Sequence, residues 1–202
     1  MIRLFFILSL IISINLNSQS FERSYLHHDI MLSYGLPATD MFLNIHSTML
    51  DEKFPDKRYI RDNYRGSGIV SVTYRHVSKN KLMLWGINMD YNQTVGDIYN
   101  VGQLEGELKR RFVTLAIEGQ YRYQNLNNIQ LYSGLGFGYS FGTEIITPQK
   151  DSGHPNSTGS INRVAWQINA IGIRIGASIA GFVEFGYGYK GIVNAGLSYQ
   201  FY

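Results

Sequence analysis

Residues 181–202, GFVEFGYGYKGIVNAGLSYQFY, decide the predicted fold, because large apolar residues alternate along them with small or polar ones. Alternation with a period of two on both sides of Lys190-Gly191 indicates two antiparallel strands joined by a tight turn. One face carries Val183, Phe185, Tyr187, Tyr189, Val193, Ala195, Leu197, Tyr199 and Phe201. The other face carries Glu184, Gly186, Gly188, Asn194, Gly196, Ser198 and Gln200. An aromatic, apolar face that continues to the last residues is typical of strands that contact lipid.

The same alternation predicts six further strands, at residues 28–36, 65–77, 81–91, 110–123, 129–142 and 162–176. A tilted membrane strand requires about 9–11 residues, and these segments are long enough. In the sixth, the apolar phase shifts near Asn169-Ala170, which indicates a β-bulge. We expect the last strand to pair with the first, so that no edge stays open. The predicted fold is an all-β, eight-stranded antiparallel transmembrane β-barrel.

Short and long connections alternate between the predicted strands. An even number of strands places both termini on one side of the membrane, and the short turns of such barrels are periplasmic. We therefore expect both termini in the periplasm and the longer loops outside. Aromatic residues such as Trp85 and Tyr199 near one end, and Tyr91 and Trp166 near the other, suit the two interfaces of a bilayer.

The first outer loop, residues 37–64, contains a predicted amphipathic helix at residues 39–52, TDMFLNIHSTMLDE. Thr39 or Asp40 can cap it, and its apolar residues share one face at helical spacing. The helix either seals the outer mouth of the barrel, lies in the outer leaflet, or binds a partner. The pattern leaves these three roles open.

Residues 1–20, MIRLFFILSLIISINLNSQS, predict a secretory signal peptide. Arg3 supplies the positive charge, and Ser18 and Ser20 are small residues placed for cleavage before Phe21. The apolar segment between them is too short to span a bilayer comfortably, which disfavours an N-terminal anchor helix. We expect residues 21–202 to form a single barrel domain.

Composition favours strands and tight turns, with 15 Tyr, 11 Phe, 21 Gly and 4 Pro among 202 residues. The formal charge is only +3, and Lys and Arg are scattered, so no nucleic-acid partner is expected. The chain has no Cys, which excludes disulfides and thiolate metal sites. The 5 His residues lack a metal-ligand spacing. We expect neither a metal nor a cofactor.

The face opposite the apolar one carries Arg75, Asp90, Glu118, Arg122, Arg174 and Glu184. An eight-stranded barrel is only wide enough for its own side chains to fill, and buried charges require partners. We therefore expect a lumen charge network, in which Glu118 and Glu184 bridge to Arg75, Arg122 or Arg174. The alternative is a narrow polar conduit through the barrel.

The chain resembles the small outer-membrane β-barrel proteins of Gram-negative bacteria, and most closely those of the Bacteroidetes type, often described as porin-like. The resemblance rests on the predicted signal peptide, on residues 171–201 and on the terminal aromatic. Barrels of this kind end in a strand of alternating apolar residues with a final Phe, which the barrel-assembly machinery recognises. The residues that match this assembly signal are Val193, Ala195, Leu197, Tyr199 and Phe201. The resemblance implies contact with outer-membrane lipids, lipopolysaccharide and the assembly machinery, and no defined activity.

Two motifs that suggest chemistry have simpler interpretations. Residues 186–191, GYGYKG, match the dinucleotide pattern G-x-G-x-x-G, but a strand follows them where such a site needs a helix. Some small outer-membrane barrels modify lipid A with His, Ser and an acidic residue, and His154, Ser157 and Glu144 can be assigned those roles. They lie in a predicted loop, residues 143–161, rather than on rigid strands. We expect no catalytic residues.

The favoured function is a structural or surface-interaction role, with a lumen filled by side chains and an extracellular ligand that the sequence does not identify. The first alternative is a narrow porin-like channel for small solutes or ions, which requires an open lumen. The second is a lipid A-modifying enzyme, which requires rigid His, Ser and acidic residues at the outer rim.

Overall fold

The computed structural model describes residues 27–37, 59–100, 103–126, 128–148 and 156–202. Their strands are β1 (His28–Leu36), β2 (Tyr59–Val77), β3 (Met83–Asn100), β4 (Gln103–Asn125), β5 (Ile129–Pro148), β6 (Ser157–Ser160), β7 (Arg163–Gly176), β8 (Ile179–Gly188) and β9 (Val193–Phe201). β6 and β7 both pair with β5, one after the other, so they act as a single interrupted barrel strand. In this part of the chain, no helix is long and apolar enough to cross a membrane.

The strands close into a ring in which all neighbours are antiparallel. The order around the ring is β4-β3-β2-β1-β9-β8-β7-β5, and β5 pairs with β4 to complete it. β1 and β9 pair along their whole length, from His28 opposite Phe201 to Leu36 opposite Val193. The predicted eight-stranded antiparallel barrel is confirmed, and so is the pairing of its first and last strands. A register shift between Asn169 and Ile171 confirms the predicted bulge.

The two ends of the barrel differ. At the short-turn end, brief connections follow β2, β4 and β7. At the opposite end, which we call the long-hairpin end, strands β2 to β5 extend well past the ends of β1 and β8. Beyond Ile69, which lies opposite Gly35 of β1, β2 pairs only with β3 among the described strands.

Strands β2 to β5 are longer than predicted, and here the prediction was wrong. Residues 92–108 were expected to be a loop, but most of them belong to β3 and β4; residues 143–148 and 157–160 likewise form strands. The cause is an inverted pattern. Ile98, Leu108 and Ile146 face inward and are buried, and most residues that face outward are polar, among them Asp97, Glu107 and Thr147. A strand that exposes its polar side at this level does not show the lipid-facing alternation on which the prediction relied.

Three predicted features lie outside the described residues. They are the signal peptide at residues 1–20, the amphipathic helix at residues 39–52, and His154. The structure therefore leaves these predictions as they stand.

Alternation along the barrel strands sorts the side chains into an apolar outer face and a polar inner face. Exposed outer residues include Leu32, Val72, Met89, Leu115, Phe137 and Leu197. Buried inner residues include Ser71, Thr73, Asn88, Thr114, Ser140 and Ser198. A soluble protein buries its apolar residues and exposes its polar ones. The reversed arrangement is that of a transmembrane barrel, whose outer face contacts hydrocarbon.

Candidate functional site

The lumen holds ten buried charged side chains among the described residues, and their charges balance. Five are acidic and five are basic: Asp29, Asp90, Glu118, Glu144 and Glu184, with Arg75, Arg110, Arg122, Arg174 and Lys190. Burying an ion without a partner is strongly unfavourable, so equal numbers of each sign are what a filled lumen requires. The lumen, with its concentration of buried charge, is therefore the candidate functional site among the described residues.

Asp29 organises the short-turn end of the lumen and ties the first strand to the last. One of its carboxylate oxygens lies 2.7 Å from a guanidinium nitrogen of Arg75. Its other oxygen accepts a 2.7 Å hydrogen bond from the hydroxyl of Ser198, on β9. Arg122 Nη2 lies 3.9 Å from Asp29, and Gln200 Nε2 donates to it at 3.2 Å. Because these groups come from four strands, they cross-link the place where the ring closes.

Arg174 stabilises the turn between β7 and β8. Its Nε donates to Ser198 Oγ at 2.8 Å, and its Nη2 donates to the carbonyl oxygens of Ala177 at 2.9 Å and Ser178 at 3.1 Å. The guanidinium has several donors in a fixed planar arrangement, which suits the capping of a turn and a hydroxyl together. Arg174 thus supports the structure of the short-turn end.

Lys190 and Tyr189 enter the lumen from the turn between β8 and β9. Lys190 Nζ lies 2.6 Å from Glu118 Oε1 and 2.8 Å from Oε2, and the Tyr189 hydroxyl donates to Oε1 at 2.8 Å. The backbone N–H of Lys190 donates to Gln167 Oε1 at 2.9 Å. The turn is therefore folded into the barrel rather than displayed at its rim.

Glycine makes this inward turn fit. Gly191 has a φ of 86°, a conformation that L-residues with a side chain rarely adopt, and an added Cβ would lie 2.8 Å from the carbonyl oxygen of Pro37. On the facing wall, an added Cβ at Gly136 would overlap the Tyr189 hydroxyl. The Gly-rich pattern of this barrel thus provides space for a lumen filled by large side chains.

Glu144 and Glu184 each have partners of their own. Arg110 Nε lies 2.8 Å from Glu144 Oε2, near the long-hairpin end. The Tyr132 hydroxyl donates to Glu184 Oε1 at 2.9 Å, and Asn194 Nδ2 donates to Oε2 at 3.0 Å. Glu144 lies on β5 with its side chain in the lumen, not in a surface loop as the sequence suggested.

The structure places all five residues of the predicted lumen network inside the barrel, but with other partners. Glu118 pairs with Lys190, and Glu184 bonds to Tyr132 and Asn194, where arginine partners were expected. Tyr189 was predicted on the apolar outer face and is buried inside, because β8 ends at Gly188, whose φ of 142° ends the alternation.

Five charged lumen residues were missing from the predicted network: Asp90, which was assigned to the inner face without a partner, and Asp29, Arg110, Glu144 and Lys190. The alternation places Asp29 on the polar face of its predicted strand, but it was not counted among the charges of the network. Arg110 is the first residue of a predicted strand, and Glu144 lies in a predicted loop, so neither was assigned to the lumen. For Lys190 no sequence signal exists, because a turn has no alternation.

The outer surface carries an aromatic cluster at the point where the ring closes. The His28 ring lies 5.4 Å from the Phe201 ring, and Tyr199 stacks on Phe201 at 5.5 Å. His28 Nδ1 is 2.7 Å from the Tyr74 hydroxyl. At the opposite end of the strands, Trp166 and Tyr187 are in contact at 5.4 Å. Aromatic residues with polar edges at both ends of an apolar belt match the two interfaces of a bilayer.

The predicted assembly signal lies on β9. Its side chains Val193, Leu197 and Tyr199 are exposed on the outer apolar face, and Phe201 is partly exposed beside His28. These positions suit a strand that pairs at a barrel edge, and the recognition of the strand by the assembly machinery stays a prediction.

At the long-hairpin end the polarity of the two faces is exchanged. The inner face of β3 is polar at Asn88, Asp90 and Thr94 and then becomes apolar at Ile98, which packs with Leu108, Ile146 and Tyr64. The outer face of β4 changes from Leu115 to the exposed Arg111. Cross-strand contacts of Asp97 with Arg65 at 3.1 Å and with Asn63 at 2.6 Å stabilise this part. The exchange marks where the strands leave lipid and enter water, and we call the part beyond it the protruding sheet.

Comparison with known proteins gives matches among solved structures and none among family models or curated sequences. No protein-family model and no curated protein sequence matches the chain. Among solved structures, the chain is similar to the outer membrane protein Ail of Yersinia pestis in a phospholipid bilayer nanodisc. The two are 16% identical, the match covers 88% of this chain and 100% of that one, and the TM-score is 0.37.

Proposed function

We propose that the protein is a non-enzymatic outer-membrane barrel that displays a surface for interactions outside the cell. The observation that carries this proposal is the protruding sheet, because its inner face has an apolar cluster of its own and its outer face is mostly polar. A barrel that served only to fill the membrane would not need strands beyond the lipid. An extracellular ligand, lipopolysaccharide and outer-membrane lipids are the proposed partners, and the assembly machinery is proposed to recognise β9 through Phe201.

The proposal includes an orientation, with both termini and the short turns in the periplasm. The chain has no Cys, so one introduced thiol is a unique label. Leu104→Cys, on the exposed start of β4 at the tip of the protruding sheet, should react with a membrane-impermeant maleimide on intact cells. Lys79→Cys, at the short-turn end, should react only after the outer membrane is permeabilised. The reverse labelling pattern would overturn the orientation.

The interaction role is tested by shortening the protruding sheet. Val95 and Lys109 lie opposite each other, so residues 96–108 can be replaced by an Asn-Gly turn that keeps the register. We expect the shortened protein to keep its heat-modifiable barrel. Proteoliposomes of the full-length protein should capture peptides from a displayed library that the shortened protein does not. Equal capture by the two proteins would contradict a binding role for the protruding sheet.

A narrow channel for small solutes is the second candidate, because polar side chains line the lumen from Asp29 to Glu144. It requires the Tyr189-Lys190 turn to leave the lumen, which would break three hydrogen bonds to Glu118 and Gln167. Single-channel conductance in planar bilayers separates the two candidate functions. A filled barrel should conduct almost nothing, whereas a channel should give steady currents.

A further inference from the structure

Among the buried acids of the described residues, Asp90 on β3 and Glu184 form no ion pair, and Glu184 is stabilised by two neutral donors. The Asp90 side chain is 3% exposed, no cationic group of the described residues forms an ion pair with it, and the polar side chains that interact with its carboxylate are the neutral Ser71 and Asn88. Asp29, Glu118 and Glu144 each form a buried ion pair, and Glu184 accepts two hydrogen bonds. A carboxylate without a cationic partner in a dry interior is strongly unfavourable, so Asp90 requires a compensating group.

The ammonium group of Lys190 attracts the Asp90 carboxylate electrostatically, but its N–H donors point at other acceptors. An ammonium has three N–H donors. In Lys190 they face Glu118 Oε1 at 2.6 Å, Glu118 Oε2 at 2.8 Å and Thr73 Oγ1 at 3.3 Å. If Lys190 moved to Asp90, Glu118 would become the bare acid instead. Lys190 therefore cannot neutralise both.

The arginines are also engaged elsewhere. Arg110 is paired with Glu144. Arg75 lies four positions along β2 from Ser71, the residue opposite Asp90, which is about 13 Å at ~3.3 Å per residue. The buried charges of the lumen thus sum to zero, but they are distributed unevenly along the barrel axis. Around Asp29 bases outnumber acids, and at the level of Asp90 one negative charge is unmatched.

Three inner-face residues near Asp90 carry side-chain oxygen atoms, and Asn88 on the same face interacts with it as a donor. The register places Ser71 on one side of it and Thr114 on the other, and side chains directly opposed on one face have Cβ atoms about 4.5–5.5 Å apart. Ser71 is fully buried, and its hydroxyl interacts with the Asp90 carboxylate. Thr114 shares one hydrogen bond with Ser140 at 2.7 Å, which leaves its oxygen able to accept another interaction. Asn92 follows on the same inner face and is buried.

We propose that Asp90, Ser71, Thr114 and Asn92 bind one small monovalent cation of the sodium type. A carboxylate with neutral hydroxyl and amide oxygens is the ligand set of hard cations. A single carboxylate supplies one negative charge, which a monovalent ion balances. Across the described ranges, no group of three His, Cys, Asp or Glu residues is arranged to hold a metal ion, which disfavours a divalent or transition metal. The bound cation leaves Lys190 with Glu118 and so supports the inward turn.

The test compares unfolding midpoints of the refolded full-length protein in zwitterionic detergent micelles. Sodium chloride is replaced by N-methylglucamine chloride at constant pH and ionic strength. For the wild type, we expect the midpoint to rise with sodium and to saturate, because a ligand that binds only the folded state stabilises it. Asp90→Asn should abolish the sodium dependence, and Ser71→Ala should raise the half-saturating concentration several-fold. Asp97→Asn, on the same strand but in the protruding sheet, should respond as the wild type does.

A wild-type midpoint that is equal in the two salts would overturn the proposal, and so would an unchanged sodium response of Asp90→Asn. A midpoint that depends on pH but not on sodium would show that a proton, not a cation, neutralises Asp90. If Asp90→Asn does not fold, line broadening of the sodium NMR signal by the wild type and by Ser71→Ala tests the site instead. Broadening by the wild type that Ser71→Ala does not reduce would contradict the site.

Discussion

Lys190 and Glu118 are 72 residues apart in sequence, yet the ammonium group of one lies 2.6 Å from a carboxylate oxygen of the other inside the barrel. Both side chains are almost fully buried. The pair fixes a turn of the β8–β9 hairpin within the lumen, so the contents of the barrel include backbone as well as side chains. A conduit would require this contact to break.

Removal of one member of the pair should destabilise the protein strongly. Glu118→Gln or Lys190→Met alone leaves a buried charge without its partner, and we expect a loss of about 3–5 kcal/mol in the free energy of unfolding. The double variant should lose less than the sum of the two, because neither charge remains. Urea titration in detergent micelles, followed by tryptophan fluorescence, measures all three. Strict additivity would show that the two groups do not interact.

Gly191→Ala should destabilise the barrel through the inward turn. The positive φ of Gly191 and the nearby Pro37 carbonyl both oppose a side chain, and we expect a cost of about 1–2 kcal/mol. Gly181→Ala is the matched control, since an added Cβ there has no neighbour within 4 Å. The midpoint of the heat-induced gel-mobility shift reports the difference. Equal midpoints for the two variants would contradict a strained, inward turn.

A charge on the outer face should be costly in the middle of β5 and tolerated at its end. Leu135 and Thr143 point to the same side of β5, but Thr143 lies opposite the exposed Arg111, where the outer face has become polar. We expect Leu135→Lys to cost about 2–4 kcal/mol in lipid and Thr143→Lys about 0–1 kcal/mol. Unfolding from phospholipid vesicles checks the depth dependence. Similar costs at both positions would remove the proposed lipid boundary.

The wild-type protein should show almost no conductance in planar bilayers, because Tyr189 and Lys190 occupy the lumen. Replacement of both by Ala removes their side chains from around Glu118, and we expect small, measurable single-channel currents. Leu197→Ala on the outer face, which leaves the lumen unchanged, should behave as the wild type does. Steady wild-type currents would favour the channel function instead.

The strand order, the closure and the facing of most side chains could be predicted because a period of two is a local property of the chain. Glu184 and Arg174 were assigned to the inner face in this way, and both are buried. The alternation also located the bulge near Asn169. It failed for the end of β3 after Asn92 and for the start of β4. A strand in lipid has its apolar side chains on the outer face, whereas a strand in water has them on the inner face.

The partners of the lumen charges could not be predicted from the sequence. They depend on the stagger between strands and on where a turn points, and neither is written in local alternation. Glu118 could have met any of several bases; the inward turn brings Lys190 to it, and Gly188 moves Tyr189 to the inner side. Long-range polar contacts of this kind follow only from the three-dimensional arrangement.

The hydrogen bonds from Ser198 and Gln200 to Asp29 span 169 and 171 residues. Nearly the whole chain must therefore be released from synthesis before the first strand can meet its last neighbour. Contacts of such high sequence separation make folding slow. Until the ring closes, Asp29 and Arg75 lack the strand that covers them, so an incomplete barrel would hold an ion pair against hydrocarbon. We therefore expect closure to be a late and cooperative step, after which β1 and β9 hold each other in place against sideways opening of the barrel.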